Sequence, residues 1–283
     1  MKTSIFFFIF FVLFFFFHSC NSPTSENPTK NIPLKQKLVK KKKKKKKKKK
    51  EEKENLPKIL IDSLLINHLT GQCVYEKDTC FKVVPKHATT KTIYLQKETC
   101  DMFLKMKSAA EKDSVFLKIN SGARNFNVQK YIWEKRWDGK KRLRDGSSAK
   151  KIKDLKERSL KLLLYTAMPG TSRHHWGTEI DLYHINGNKY YEKGKGLKEY
   201  NWLLKNAHKY GFHQVYSNKE KDKRTGYQEE KWHWSYMPIS NQYHKKYKQL
   251  ISYKDIYGFK GASTAKEIKA IENYVNGINK DYP

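Results

Sequence analysis

Apolar residues recur on one helical face between Leu95 and Glu111, at Met102, Phe103, Met106 and Ala109-Ala110, and that spacing predicts a helix. A second helical pattern runs from Asn127 to Trp137, and Ser148 is placed to cap a third that ends at Leu163 after a very basic start, Lys150 to Lys156. The stretch from Leu197 to Tyr210 carries Trp202, Leu203 and Leu204 and stops at Gly211, a residue type that readily ends a helix. Near the end, Thr264 and Glu267 form a capping-box pattern that opens a helix to about Val275. Strand-like runs lie between these: Val115 to Ile119, Ile180-Asp181-Leu182, Gln214-Val215-Tyr216 and Trp232 to Tyr236. Helices and strands follow one another without regular alternation and without an internal repeat, so the expected class is α+β.

The first residues follow a different pattern. A basic Lys2 precedes an unbroken apolar run from Ile5 to Phe17, which closes on His18-Ser19-Cys20. Residues 1–20 therefore read as a secretory signal, shorter than the roughly 20 apolar residues that span a bilayer. Cys20 stands where a lipoprotein signal places its lipidated cysteine, although Phe17-His18-Ser19 fits the usual pattern loosely; ordinary cleavage nearby is the alternative. The expected location is exported, periplasmic or at the cell envelope, with a lipid anchor if Cys20 is modified.

Residues 21–56 combine Asn, Ser, Thr and Pro with an unbroken lysine run, Lys40 to Lys50, and then Glu51-Glu52-Lys53-Glu54. Like charges at this density bury nothing, so the segment reads as a disordered tether. The folded part is expected over residues 57–283, as one domain with a C-terminal helical extension. The chain has 283 residues, 38% of them hydrophobic and 14% aromatic, enough for a sizeable core.

Charge narrows the partners. A formal net charge of +32 draws the chain to anionic surfaces. The lysine run is suited to an anionic membrane or wall polymer, or is a solvated linker with no dedicated partner. Nucleic acid is excluded as the partner, because the run sits beside an export signal and brings no base-reading motif. Beyond Cys20 the cysteines are Cys73, Cys80 and Cys100. Cys73 and Cys80 could close a short loop in an oxidising compartment, or all three remain free thiols; no Cys-x-x-Cys pair is present.

Two stretches concentrate chemistry: Ser172-Arg-His174-His-Trp-Gly177-Thr-Glu-Ile-Asp181 and Glu230-Lys-Trp232-His233-Trp234. A catalytic zinc takes three nitrogen or oxygen donors and keeps a fourth position open. His174, Asp181 and His233 would supply them, and one carboxylate with two neutral imidazoles leaves the site cationic enough to acidify water. Glu230, three residues before His233, could stand beside the metal as general base and then general acid. Each residue taken singly has a plainer reading: Asp181 as a structural carboxylate paired with a lysine, Trp232 and Trp234 as core.

Together the stretches resemble the paired signatures of the D-alanyl-D-alanine carboxypeptidase family of zinc peptidases, the VanY-like enzymes. That family reads Ser-x-His-x-x-Gly-x-Ala-x-Asp and, later, Glu-x-x-His, often Glu-x-Trp-His-Trp. Ser172, His174, Gly177 and Asp181 match the first; Glu230, Trp232, His233 and Trp234 match the second. Upstream, Ser121-Gly-Ala-Arg124-Asn-Phe-Asn-Val-Gln129 resembles the family's substrate-binding Ser-Gly-x-Arg…Gln segment. The resemblance runs from about Leu95 to Tyr243. It implies a small antiparallel sheet with flanking helices, the fold shared with the hedgehog signalling domain, carrying one catalytic zinc ion. By the same resemblance Arg124 assists at the peptide carbonyl or oxyanion, Gln129 holds the peptide backbone, and Ser172 binds substrate or shapes its turn. His175 and His208 have no role in the pattern and read as structural.

One position departs. Glu179 stands where the family usually carries Ala, and it either points away from the metal on the opposite side of the strand or adds negative charge beside it. The function implied is hydrolysis of peptidoglycan stem peptides, foremost as a D-alanyl-D-alanine carboxypeptidase. The alternatives are an endopeptidase that cuts cross-links and a non-catalytic, zinc-containing wall-binding protein.

Overall fold

Four short strands lie at the centre of the fold, all paired antiparallel in the order β3-β4-β6-β5: Ile119–Ser121 (β3), Glu179–Leu182 (β4), Phe212–His213 (β5) and His233–Tyr236 (β6). A separate two-stranded ladder joins Phe81–Val83 (β1) to Tyr94–Gln96 (β2). The computed structural model describes residues 63–182 and 187–280, which belong to one compact unit. The signal, Cys20, and the lysine-rich tether lie outside the described residues.

Side chains alternate across a strand, and the sheet uses that period to separate two environments. Ile119, Ile180, Leu182, Phe212, Trp234 and Tyr236 enter one apolar core. Against it packs the helix Lys97–Lys112 (α2), which buries Cys100, Phe103, Met106 and Ala110 along one stripe. The helix Gly194–Asn206 (α5) adds Trp202 and Leu203 to the same core. A second, more aromatic core gathers Trp133 and Trp137 of Phe126–Trp137 (α3), Leu162 of Leu155–Leu162 (α4) and Tyr247 of Met237–Leu250 (α6), and receives Leu69 from helical residues 63–70 (α1). The α+β class expected from the sequence is what forms.

Local chemistry explains where the elements start and stop. Asn125 caps α3 by accepting from the Val128 N–H at 2.9 Å, so the helix begins just before the expected Asn127. The helix expected from Ser148 does not run through: residues Ala149–Lys151 make a single 3-10 turn, and α4 starts only after Asp154 accepts from the Glu157 N–H at 2.8 Å. Lysines at 150, 151 and 153 are poorly placed at a helix N-terminus, where the dipole favours negative charge. Gly211 ends the α5 region in the left-handed region, φ 78°, after a 3-10 turn Ala207–Tyr210.

Three expectations are corrected. The helix opened by Thr264 does not form: Ala262–Thr264 is a 3-10 turn and Ile271–Val275 a π turn. The Thr264 hydroxyl donates back to the Gly261 carbonyl at 2.8 Å, and Glu267 pairs with Lys156 at 2.8 Å instead of completing the box. The strand expected at Val115 to Ile119 becomes paired only from Ile119, and that at Gln214 to Tyr216 lies earlier, at Phe212–His213. Of the two readings left open for the cysteines, free thiols are what the structure has at Cys73, Cys80 and Cys100. The sequence reading also passed over α6, although Met237, Tyr243, Tyr247 and Leu250 place an apolar stripe at helical spacing along it.

Candidate metal centre

The face of the sheet turned away from the α2 core carries polar groups. In the β4–β6 ladder Asp181 stands opposite His233 and Glu179 opposite Ser235, while Ile180 and Trp234 between them point to the core. Glu179 and Asp181 are two residues apart on one strand, so they share a face. Of the two readings of Glu179, the one that turns it away from the metal residues is overturned and the other holds: its negative charge stands beside them.

His174 arrives from a 3-10 turn, Arg173–Trp176, that leads into β4 through Gly177. That glycine has φ 70°, and a Cβ on it would lie 2.2 Å from the Phe81 ring. Glycine is therefore required there for both backbone and space. The turn brings His174 Nε2 to 3.3 Å from Asp181 Oδ2, and His233 Nδ1 lies 3.0 Å from Asp181 Oδ1. Ligand atoms of all three residues fall within 4.8 Å of one another. Donors held at about 2.0–2.2 Å around a tetrahedral zinc are separated by about 3.3–3.6 Å, the same scale as the spacing within this triad.

Each imidazole is oriented through its other nitrogen. His174 Nδ1–H donates to the Gly122 carbonyl at 2.8 Å, which leaves Nε2 facing Asp181. His233 Nε2–H donates to Glu179 Oε2 at 2.9 Å, which leaves Nδ1 facing Asp181. Such outer partners are what ligating histidines ordinarily require. His175, by contrast, donates to the Arg124 carbonyl at 2.6 Å and accepts from the Gly170 N–H at 3.0 Å. Both of its nitrogens serve the scaffold, as expected, whereas His208 sits exposed in the turn after α5.

Electrostatics follow from burial and near neighbours. Burial pushes the Asp181 carboxyl up, but the His174 and His233 imidazoles outweigh it and hold the group well below the usual carboxylate range. Burial pulls His174 down, reinforced by the Arg124 charge. His233 is pulled down by burial and raised more strongly by hydrogen bonds to Asp181 and Glu179, to about 9. A cation held at Nδ1 would therefore take the place of a proton. Glu230 is the exception among the carboxyls: burial pushes it up to about 7, against the His233 charge.

A cleft of about 230 Å³ opens over the triad. His174, Asp181, His233, Glu230, Arg124 and Ser172 all line it, so the structure unites most of the residues singled out in the sequence. Glu230 Oε2 is 4.0 Å from His233 Nδ1, beside the triad and outside it. Arg124 Nη2 lies 3.5 Å from Asp181 Oδ2, and its buried Nε has no partner. Gln129 is placed differently: it is fully buried behind the wall, where Nε2 donates to the Ala167 carbonyl at 2.7 Å and Oε1 is unpartnered. Sequence reasoning missed Arg136, Arg144 and Tyr165, which also line the cleft. The Arg144 guanidinium stacks 4.4 Å from the Tyr165 ring centre and 4.2 Å from that of Trp232. Nothing local marks these residues, because they meet only in three dimensions.

The family model for D-alanyl-D-alanine carboxypeptidases, VanY, matches residues 92–239, a span that contains the triad, Glu230 and Arg124. The chain belongs to the VanY family. A Bacillus subtilis (strain 168) protein, YodJ, described as a candidate carboxypeptidase, is 31% identical over 145 residues, which cover 51% of this chain and 46% of that protein. The chain thus spans about half the length of the curated relative it matches. Among solved structures, VanYB in complex with D-alanine-D-alanine is 21% identical with a TM-score of 0.44, over 61% of this chain and 86% of that one. A VanY variant from a VanB-type resistance cassette, in complex with Zn(II), is 23% identical with a TM-score of 0.42, over 58% and 89%. The LD-carboxypeptidase LdcB is 23% identical with a TM-score of 0.43, over 70% and 79%.

Proposed function

We propose that this protein is a zinc-dependent carboxypeptidase acting on peptidoglycan stem peptides. The observation that carries the reading is the convergence, at one polar face of the sheet, of a His-Asp-His donor set with the buried Glu230 standing 4.0 Å from His233 Nδ1, outside that set. Nitrogen and carboxylate donors in this number suit zinc above magnesium or calcium. Bound there, zinc supplies Lewis acidity and lowers the pKa of water.

The chain's own residues account for the proton. Glu230, raised by burial to about 7, is matched to accept a proton from an attacking water at neutral pH and return it to the leaving amine. Arg124 presents a fixed cation at the cleft wall, where charge developing on the peptide carbonyl is stabilised by a donor that needs no reorganisation. Ser172 lines the same wall and is available to the substrate; Gln129 acts from behind it, bracing Ala167, instead of touching the peptide.

Arg136 and Arg144 favour release of a terminal residue over cutting of cross-links. Four guanidinium groups line the cleft, those of Arg124, Arg136, Arg144 and Arg173; with Arg173 paired to Glu179, the others leave positive charge suited to a substrate that ends in a free carboxylate. The export signal and the lysine run extend the reading to a protein of the cell envelope, with Lys40 to Lys50 near anionic lipid or wall polymer.

A digest of purified muropeptides with and without chelator, analysed by mass, tests the reading. Loss of one alanine from pentapeptide stems, abolished by chelator and restored by zinc, is the expected result. Cleaved dimers in place of that product would assign the endopeptidase, and zinc-loaded protein without turnover would assign a wall-binding role. Fractionation of cells that express the full chain tests the envelope location.

A further inference from the structure

Glu179 is the one carboxylate of the polar face that neither faces the cleft nor serves the proposed proton transfer. It is completely buried, and so, to within 1%, is Arg173, whose Nη2 lies 3.2 Å from Glu179 Oε1. The same Oε1 accepts from Ser235 Oγ at 2.7 Å and from Thr178 Oγ1 at 3.2 Å, while Oε2 takes the His233 Nε2–H at 2.9 Å. Arg173 also donates to Ser235 Oγ at 3.0 Å, and its guanidinium rests 4.5 Å from the Trp176 ring centre.

Burying a carboxylate and a guanidinium costs several kcal/mol per ion before they attract one another, and such pairs are poor sources of net stability. Their better-attested use is to select one state among several. Here the state is the orientation of a single ring. An imidazole has two nitrogens and two tautomers, and only one combination turns a lone pair at Nδ1 toward Asp181. His174 is held in its combination by a neutral backbone carbonyl, Gly122. His233 has a full carboxylate in that place, itself locked by a cation and two hydroxyls.

We propose that Glu179, fixed by Arg173, is a positioning residue for the metal site: it holds His233 with Nε2–H donating and Nδ1 presented to the cation. The inference rests on the metal reading above. It makes Glu179 and Arg173 one device, since an apolar residue at 179 alone would strand the Arg173 charge in the interior and leave the His233 Nε2–H unpaired.

The test uses the full chain and reads zinc affinity by competition with a chromophoric chelator, with Co(II) absorption as a second readout. Glu179→Leu alone leaves Arg173 buried without its partner and is at risk of not folding, so two paired variants are compared. Both carry Arg173→Met; one adds Glu179→Gln, which keeps an acceptor for His233, and the other Glu179→Leu, which does not. Thermal melts of the metal-free proteins establish that both fold. The expected result is zinc binding about 10–100-fold weaker in the Leu pair than in the Gln pair, with an altered Co(II) spectrum in the Leu pair only. Equal zinc affinities and identical Co(II) spectra in the two folded pairs would reduce Glu179 to a structural charge and overturn the inference. Absence of stoichiometric zinc in the unsubstituted chain would instead overturn the metal reading on which the inference stands.

Discussion

The two faces of the β4–β6 ladder differ in nearly everything except sequence position. On one face Ile180 and Trp234 sit in the α2 core, paired opposite one another among apolar side chains. On the other, one residue away on each strand, Glu179, Asp181, His233 and Ser235 form a hydrogen-bonded polar row. The apolar face gains from every atom removed from water. The polar face holds buried charges that stay only because each is paired, and most of those pairs point at the place for the cation. Fold energy and chemistry are thus drawn from opposite sides of the same two strands, and substitutions should separate cleanly by side.

The sharpest separation is expected at Glu230. Glu230→Gln should lower kcat by about 10²–10⁴-fold while zinc stoichiometry and the melting temperature stay near those of the parent chain. Loss of zinc in that variant would show that the residue is a ligand and not a base. The opposite signature belongs to the apolar face: Trp234→Ala should cost about 3–5 kcal/mol of unfolding free energy, read by chemical denaturation. The folded fraction should still bind zinc, because the Trp234 side chain points into the apolar core, away from the face that carries the triad. A loss of affinity out of proportion to the unfolded fraction would mean that the faces are coupled.

Arg124 lies on the polar side but outside the donor set. Arg124→Met should reduce kcat by about 10²–10³-fold, with KM less affected. Because the guanidinium also rests 3.5 Å from Asp181, zinc affinity measured in parallel separates the two roles. An effect on affinity alone would make Arg124 a brace for the ligand.

The smallest effect concerns pH, away from the metal. Burial, aided by the Arg173 charge, lowers His244 to about 4, and its Nε2 lies 2.8 Å from Asn276 Oδ1. Between about 6.5 and about 4 the unfolded chain binds this proton and the folded chain does not, so stability falls as pH drops through that window. His244→Gln should remove up to about 3 kcal/mol of the difference in unfolding free energy between pH 7 and pH 4.5. Parallel pH profiles for the two proteins would refute the assignment.

Most of the site was legible in the sequence because its residues come in short, dense runs. Ser172 to Asp181 and Glu230 to Trp234 carry the candidate metal donors at spacings that a turn and a strand impose locally. The choice between the two readings of Glu179 could have been made from sequence, since residues two apart on a strand must share a face. Arg136, Arg144 and Tyr165 were not legible: they come from a helix end and two loops, and only the packing of the second core brings them to one cleft. Gln129 shows the reverse case, a residue whose motif suggested substrate contact while the helix turned it behind Ala167.

Local sequence was sufficient for α2, α3 and α5, for the α+β class and for the donor set that meets at the candidate metal centre. Periodicity and donor chemistry are properties of neighbours in the chain, and they survive without knowledge of the fold. The pairing of Asp181 with His233, the burial of Glu179 against Arg173, and the pKa of Glu230 were decided by tertiary structure alone. Each depends on which distant segment supplies the partner and how much water is excluded, quantities that exist only once the strands have found their register.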